Sequence, residues 1–421
     1  VVVFSTGYRV YADDLQPASN AEDAAGWVDS LFAEGGTDIN AGLLAALDMV
    51  EERPATILFM TDGVPTEGVT EVDAILANAG AAAKPNARVF SFGVGDDVNT
   101  LLLDAMVRDF NGTGTYVRPT QRIDESMASL YNKISSPVLS EIALDFGGVR
   151  TELQYPELVS DLFAGEQIAL VGRYRQGDDT IVTLSGKVRG VETEFVYPNL
   201  TFRDNAGGEE FIARLWAQRR ISDLLSTIQR NGESTELVES VVSLSVRYGI
   251  ITPYTSFLIE EDDILSQQGR TRALEEAEAN FGAMRDEVTG SGAVDRSAAL
   301  DAMAQSAAPA PAPTMAAGGD MGGGGFDAPG ENESDGQFYN EPVINPIQTI
   351  GGKTFLLIDG VWTDTTFEPD TMTTEKVEFL SDEYFALLDA HPELGEYFAV
   401  GEKVIVVLEG TAYEVTVTAT E

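Results

Sequence analysis

The stretch ILFMTDGVPTEG, from Ile57 to Gly68, decides the fold class, because an apolar run ends there on a carboxylate. A continuous apolar segment bounded by Gly and Pro is typical of a strand buried on both faces of a parallel sheet. Asp62 would then lie at the carboxyl edge of that sheet, where ligands bind in open α/β folds. The alternative is that Asp62 only forms a turn before Gly63, and this stretch alone leaves both interpretations open.

The composition indicates a multidomain and strongly acidic protein. The 421 residues include 69 Asp and Glu against 26 Lys and Arg, which gives a net charge of −43. Such a surface repels phosphates, so we expect neither nucleic acid nor an anionic membrane as a partner. It suits divalent cations, basic partners or a high-salt habitat, and salt adaptation explains the evenly spread acids equally well. No apolar run approaches the roughly 20 residues that span a bilayer, so we expect no direct membrane insertion.

The sequence offers little material for catalysis. It contains no Cys and a single His, His391, so thiol nucleophiles and several His-based sites are excluded. His391 stands before Pro392 at a predicted helix end, and we interpret it as structural. No pattern places two of the many carboxylates in an apolar pocket, as a glycosidase would require. We therefore predict a protein that is not an enzyme and has no catalytic residue.

The order of predicted elements indicates several regions. Strands alternate with helices over residues 1–135, which predicts an α/β domain with a doubly wound, mostly parallel sheet. Composition and periodicity then predict an antiparallel β-sandwich at 136–206, a helical segment with a returning strand at 207–288, a flexible linker at 289–345 and a small α+β domain at 346–421. In the last region, TFLLIDGVWTD and VIVVLEGTAYEV both fit hairpins, with a helix between them. We expect this region to fold alone, although its size is marginal.

A second loop is predicted to reach the same sheet edge as Asp62. The segment GGTDIN places Thr37 just before a helix. In a doubly wound sheet such a loop also lies at the carboxyl edge. A hydroxyl and a carboxylate that converge there suit a hard cation such as Mg²⁺ or Mn²⁺, with Ca²⁺ as a third candidate. We predict that Thr37 and Asp62 lie within reach of one cation.

The loops that carry Thr37 and Asp62, together with VVVFST at 1–6 and RVFSFGVGDDVN at 88–99, resemble those of a von Willebrand factor A-type domain. The resemblance implies a metal-ion-dependent adhesion site in which Thr37 and Asp62 join an Asp-x-Ser-x-Ser loop. No suitable loop of that kind occurs in the sequence, so we expect the site to be incomplete in this chain. In the family that loop follows the central first strand. We therefore expect the chain to start one strand and one helix late, through truncation or because another polypeptide supplies the strand, and 1–4 should not pair with 57–60.

Three later segments extend the resemblance to about residue 260. They are YPELVSDLFAGEQIALVGRYR, FIARLWAQRRISDLL and VVSLSVRYGIITPYTSFL, and they resemble the region after the A-type domain in inter-alpha-trypsin inhibitor heavy chains and their bacterial relatives. That family also carries a vault/inter-alpha-trypsin (VIT) domain, which we do not find here.

The resemblance implies a bacterial adhesion protein that is secreted or attached to the cell surface or envelope. Its partner would be a protein or extracellular-matrix ligand, and an acidic residue of that partner would complete the coordination of the cation. The alternative is a structural protein that self-assembles into a surface layer or filament.

Overall fold

The computed structural model describes residues 1–134, 137–157, 159, 161–163, 167–204, 209–252, 265–269, 271–272, 288–308, 346–350 and 352–417. Two compact units make up the chain. The first comprises Val1–Gly208, Gln218–Glu233 and Gly282–Ala307, and the second comprises Glu209–Ala217, Ser234–Phe281 and Ala308–Glu421. No helix in the described ranges is both long and apolar enough to cross a membrane.

The first unit contains a short hairpin and a parallel sheet. Strands β1 (Val2–Phe4) and β2 (Tyr8–Val10) pair antiparallel and form a sheet of their own. The parallel sheet has the order β3 (Ala55–Thr61), β4 (Ala87–Val94) and β5 (Gly114–Val117). Within the described ranges no main-chain pairing joins β1 to β3, which agrees with the expectation that these two strands are not direct neighbours in one sheet.

Helices cover both faces of the parallel sheet. A 3₁₀ turn (Ala18–Asn20) precedes the helices α1 (Ala21–Asp29), α2 (Ile39–Asp48), α3 (Val72–Ala82), α4 (Thr100–Asp109) and α5 (Ile123–Ile134). Successive residues of a strand point to opposite faces, so Val89 packs with α2, α3 and α4, whereas Phe90 packs with Leu130 of α5. The predicted α/β organisation with a parallel sheet is confirmed at this level.

Antiparallel strands follow, as the period-two pattern predicts. They are β6 (Pro137–Asp145), β7 (Thr151–Tyr155), β8 (Leu162–Phe163), β9 (Val171–Tyr174), β10 (Asp178–Val188) and β11 (Val191–Phe202). They form a four-stranded sheet of order β11-β10-β6-β8 and a two-stranded sheet β7-β9. Phe163 of β8 meets Phe90 of β4 edge to face, with ring centroids 6.3 Å apart. This contact joins the antiparallel part to the core beneath the parallel sheet.

Three further helices are described between residues 209 and 308: α6 (Glu210–Asn231), α7 (Thr235–Tyr248) and α8 (Ser291–Gln305). The Ser234 side chain caps α7 by accepting from the Leu237 amide, and Gly249 ends that helix in the left-handed region at φ 60°.

Helix α8 corrects one prediction, because the sequence assigned its residues to a flexible linker. The Ala-rich segment favours a helix, and Ala293, Val294 and Ser297 are buried in the first unit. The rest of the predicted linker at 309–345, the returning strand at 253–260 and most of the charged helix after it lie outside the described residues.

In the second unit, residues 346–417 form a six-stranded mixed sheet with two helices. The elements are β12 (Ile347–Ile350), β13 (Lys353–Ile358), β14 (Val361–Asp364), β15 (Thr374–Glu378), α9 (Asp382–Ala390), α10 (Leu394–Phe398), β16 (Val404–Leu408) and β17 (Thr411–Thr416), in the sheet order β12-β13-β14-β16-β17-β15. The two predicted hairpins are present as β13-β14 and β16-β17, and β14 pairs parallel with β16 to join them.

A buried carboxylate connects these two hairpins. Asp364 is fully buried and accepts from the Lys353 ammonium at 2.7 Å and from the Val407 amide at 3.0 Å. The Thr366 amide and hydroxyl donate to its other oxygen at 2.9 and 2.8 Å. Because the partners come from β13, β16 and the segment after β14, this one side chain fixes the relation of the two hairpins.

Candidate metal site

Two loops meet beside the ends of β1 and β3. The Thr66 amide donates to the Thr37 carbonyl at 3.0 Å, and the Glu67 amide donates to the same carbonyl at 3.3 Å. In return, the Thr37 amide donates to the Thr66 hydroxyl at 2.9 Å. These three hydrogen bonds hold the loop of Thr37 against the loop that begins at Asp62.

The turn after β1 is the third segment at this place. Gly36 donates its amide to the Thr6 hydroxyl at 3.1 Å, and Asp38 donates its amide to the Ser5 carbonyl at 2.7 Å. Ser5 and Thr6 directly follow β1, as Asp62 directly follows β3. Three segments that are distant in sequence therefore converge at one edge of the first unit.

Two glycines allow the loops to approach so closely. A Cβ atom on Gly36 would lie 2.9 Å from the Thr66 hydroxyl oxygen and would also meet the side chain of Glu67. Gly68 has φ 65°, and a Cβ atom there would lie 2.5 Å from an oxygen of Asp38. Larger residues at either position would push the loops apart. The close approach of the two loops therefore explains why glycine stands at positions 36 and 68.

The polar side chains around the two candidate ligands have separate structural tasks. Asp38 caps α2, because its Oδ1 accepts from the Ala41 amide at 2.9 Å. The buried Thr61 side chain bonds both the amide and the carbonyl of Gly63, at 3.3 and 3.1 Å, which fixes the turn that carries Asp62. These bonds hold the backbone on either side of the candidate ligands.

The side chains of the two candidate ligands, Thr37 and Asp62, differ in exposure but both lack a partner in the described protein. Asp62 is exposed and Thr37 is half-buried. Within the described part of the chain, neither the Thr37 hydroxyl nor the Asp62 carboxylate has a hydrogen-bond or ion-pair partner. Both groups are thus available as ligands for a cation at the edge where the loops meet.

The donor set at this edge is small. The ranges that the structure describes contain no group of three or more His, Cys, Asp or Glu side chains arranged to hold a metal ion. One carboxylate and one hydroxyl are the type of oxygen ligand that a hard cation prefers. Two protein ligands fill only part of its coordination shell, so water would have to fill the rest. The joint role of Thr37 and Asp62 as ligands therefore stays a prediction.

Comparison with known proteins identifies the relatives of this chain. No family model matches the sequence. The chain is 24% identical over 286 residues to inter-alpha-trypsin inhibitor heavy chain H2 of Mus musculus and 26% identical over 292 residues to heavy chain H4 of Homo sapiens, each alignment covering 62% of this chain. The homologues of this chain are inter-alpha-trypsin inhibitor heavy chains. The alignments cover 30% and 31% of these two relatives, so the chain spans about a third of their length.

Solved structures give weaker similarities. A von Willebrand factor type A protein from Catenulispora acidiphila matches with a TM-score of 0.40 and 19% identity, over 59% of this chain and 70% of that one. The ArnB paralog VWA2 from Sulfolobus acidocaldarius matches with a TM-score of 0.35 and 13% identity, over 65% of this chain and 70% of that one. The heavy-chain resemblance seen in the sequence is confirmed by the sequence relatives.

The sequence pattern selects Thr37 and Asp62 as candidate ligands, but it gives little sign of the residues that hold their loops. Asp38 carries a recognisable signal, because an Asp directly before a helix is a common N-cap. Thr6 and Thr66 carry none, since their partners Gly36 and Thr37 lie 30 and 29 residues away in sequence. Only the three-dimensional structure brings these hydroxyls to the loop.

Proposed function

We propose that this chain is a non-enzymatic binding or adhesion protein that contacts its partner through a divalent cation held by Thr37 and Asp62. The observation that carries the proposal is the hydrogen-bonded pairing of their two loops, which leaves a hydroxyl and a carboxylate without partners at one edge. Homology to inter-alpha-trypsin inhibitor heavy chains supports a binding role.

The two residues contribute differently to such a contact. The exposed Asp62 supplies negative charge, while Thr37 supplies a neutral oxygen whose position its backbone hydrogen bonds fix. A bound Mg²⁺ or Mn²⁺, or Ca²⁺ as a third candidate, would offer open coordination positions to an acidic residue of a protein or extracellular-matrix ligand. Such an ion also offsets the repulsion between an acidic ligand and a chain of net charge −43.

We propose an extracellular or envelope location in a bacterium for this activity. The heavy-chain homology supports an extracellular setting. Thr37 and Asp62 fill only part of the coordination shell of such a cation, so we expect the cation alone to bind more weakly than in a site with further carboxylate ligands, yet above the background of the acidic surface.

The second candidate function is self-assembly into a surface layer or filament, and one observation favours it. Strand β11 lies at the edge of its sheet and exposes Val191, Val196 and Tyr197 by 66%, 56% and 48%. An exposed apolar edge strand is a template for pairing with another chain. Assembly of this kind does not require a cation.

An array of immobilised peptides tests the leading proposal. Each peptide is present in an acidic version and in a matched version with Asn and Gln in place of Asp and Glu. We expect binding of the chain to acidic versions in Mg²⁺, loss of binding in EDTA and loss in Asp62→Asn, with Asp73→Asn as a control for the charge change. Binding that persists in EDTA would contradict the proposal. Sedimentation of the chain in EDTA distinguishes self-assembly from cation-dependent binding, because assembly through β11 should persist in the presence of the chelator.

A further inference from the structure

The second unit contains a cavity of about 520 Å³ beside helix α7. A volume of this size is ordinary for a small-molecule site. Among the described residues, the walls of the cavity come from three segments, namely α7, residues 267–271 and the segment that follows β14. All three segments belong to the second unit, so the cavity is a feature of that unit alone.

Hydrogen bonds connect the three walls of this cavity. The Thr365 hydroxyl donates to the Arg247 carbonyl at 3.0 Å, which joins the segment after β14 to the end of α7. The Gln267 amide donates to Oδ2 of Asp370 at 2.7 Å, which joins the third wall to the segment after β14. The cavity is therefore formed by connected segments before any ligand binds.

One face of α7 supplies both apolar and polar groups to the cavity. Val242 and Val246 are buried and provide an apolar surface. Glu239, Ser243 and Arg247 also line the cavity, and they follow one another at intervals of four residues. Because residues four apart are neighbours on a helix surface, these three polar side chains stand in a row, one turn apart.

The three polar side chains of this row have no other task in the described part of the chain. None of them has a hydrogen-bond or ion-pair partner there. The guanidinium of Arg247 lies over the ring of Tyr248, 5.6 Å from its centroid. Such a contact leaves N–H groups of the guanidinium available as donors. In a chain with 69 acidic and 26 basic residues, Arg247 is thus an available cation beside a cavity.

The row defines the chemistry of a complementary ligand. It presents a carboxylate, a hydroxyl and a guanidinium, and the eight residues from Glu239 to Arg247 span about 12 Å of helix. A matching ligand carries an ammonium group at one end, a hydrogen-bonding group in the middle and a carboxylate at the other end. An extended tripeptide with free termini is about 10 Å long and has these three groups in this order.

We propose that the cavity beside α7 binds short peptides with free termini. The α-carboxylate of the peptide pairs with Arg247, the α-ammonium pairs with Glu239, and a peptide group bonds to the Ser243 hydroxyl. Small apolar side chains of the peptide contact Val242 and Val246. This site requires no divalent cation and does not depend on the binding role of Thr37 and Asp62.

A second carboxylate at the cavity has a partner already. Glu368 lines the cavity, and its Oε2 accepts from the Thr371 hydroxyl at 2.7 Å. We therefore assign the ammonium group of the peptide to Glu239, whose carboxylate has no partner within the described residues.

A ligand-observed nuclear magnetic resonance titration of the full chain with trialanine tests the site. The titration is made at pH 7 in EDTA, so that no cation-dependent binding contributes. N-acetyl-trialanine lacks the ammonium group and trialanine amide lacks the carboxylate. Because ion pairs that water reaches are modest, we expect each modified peptide to bind about fivefold more weakly than trialanine.

Two variants assign the ends of the peptide to residues. Arg247→Gln should weaken trialanine about fivefold and leave the affinity for trialanine amide unchanged. Glu239→Gln should weaken trialanine to the same extent and leave the affinity for N-acetyl-trialanine unchanged. Arg150→Gln is the matched control, because Arg150 is an exposed arginine of the first unit, and it should change none of these affinities.

The peptide whose affinity should not change also reports that each variant retains a folded cavity. Absence of trialanine binding would overturn the proposal, and so would equal affinities of the three peptides for the unmodified chain. Loss of affinity in Arg247→Gln that is equal for trialanine and its amide would show that Arg247 does not bind the carboxylate. An equal loss in Arg150→Gln would place the binding outside this cavity.

Discussion

The ring of Phe4 stacks on the ring of Phe59, with centroids 5.3 Å apart and planes 11° apart, although β1 and β3 belong to different sheets. Side-chain packing therefore joins the first hairpin to the parallel sheet without main-chain pairing. Gly42 of α2 makes room for this contact, because a Cβ atom there would lie 2.6 Å from Cδ1 of Phe4.

We predict that Gly42→Ala destabilises the first unit, since the added methyl group displaces the Phe4 ring from Phe59. Overpacking of this kind costs about 1–3 kcal/mol. Gly80→Ala is the matched control in a neighbouring helix, where a Cβ atom meets nothing within 4 Å, and it should stabilise by about 0.4–1 kcal/mol. Urea unfolding of both variants measures the difference. Equal stability of the two would show that Phe4 does not depend on Gly42.

The parts of the fold that sequence predicts well are those with local signals. The apolar runs of β3 and β4 are bounded by Gly, Pro and Asn, and both form strands, Ala55–Thr61 and Ala87–Val94. Gly249 ends α7 because it adopts φ 60°, a conformation that glycine tolerates.

The parts that sequence misses depend on contacts between distant residues. Helix α8 has no amphipathic pattern, so its composition predicts a linker, and its packing depends on pairs such as Ser297 with Asp104. Asp364 likewise has no local signal that predicts its burial between two hairpins, because that burial depends on the distant partners Lys353 and Val407. At the candidate metal site, Thr37 and Asp62 stand out by motif, while the hydroxyls that hold their loops do not.

We predict that Asp364→Asn strongly destabilises the C-terminal sheet. The Lys353 ammonium, whose side chain is 18% exposed, loses its only carboxylate partner within the described residues. Removing one member of a buried ion pair costs about 3–5 kcal/mol. The exposed Asp389→Asn should change stability by less than about 0.5 kcal/mol. Tryptophan fluorescence reports the transition, because Trp362 lies in the same core, and identical midpoints for both variants would contradict the assignment.

We predict that residues 346–421 fold alone but gain stability from α7. The Thr365 hydroxyl donates to the Arg247 carbonyl at 3.0 Å, and a Cβ atom on Gly249 would lie 2.7 Å from the Ile347 side chain. A fragment of residues 234–421 should therefore unfold at a higher urea concentration than 346–421. A shorter fragment without cooperative unfolding would refute its independence, and equal midpoints would show that α7 contributes nothing.

The measurement that tests the central claim most directly is a Mn²⁺ titration of the full chain, followed by electron paramagnetic resonance of the free ion. A chain of net charge −43 is expected to attract Mn²⁺ without a defined site, so variants of equal charge must be compared. We expect one class of sites above this background, weakened tenfold or more in Asp62→Asn and in Thr37→Val and unchanged in Asp73→Asn. Titrations of Asp62→Asn and Asp73→Asn that coincide with that of the unmodified chain would contradict a cation site at Thr37 and Asp62.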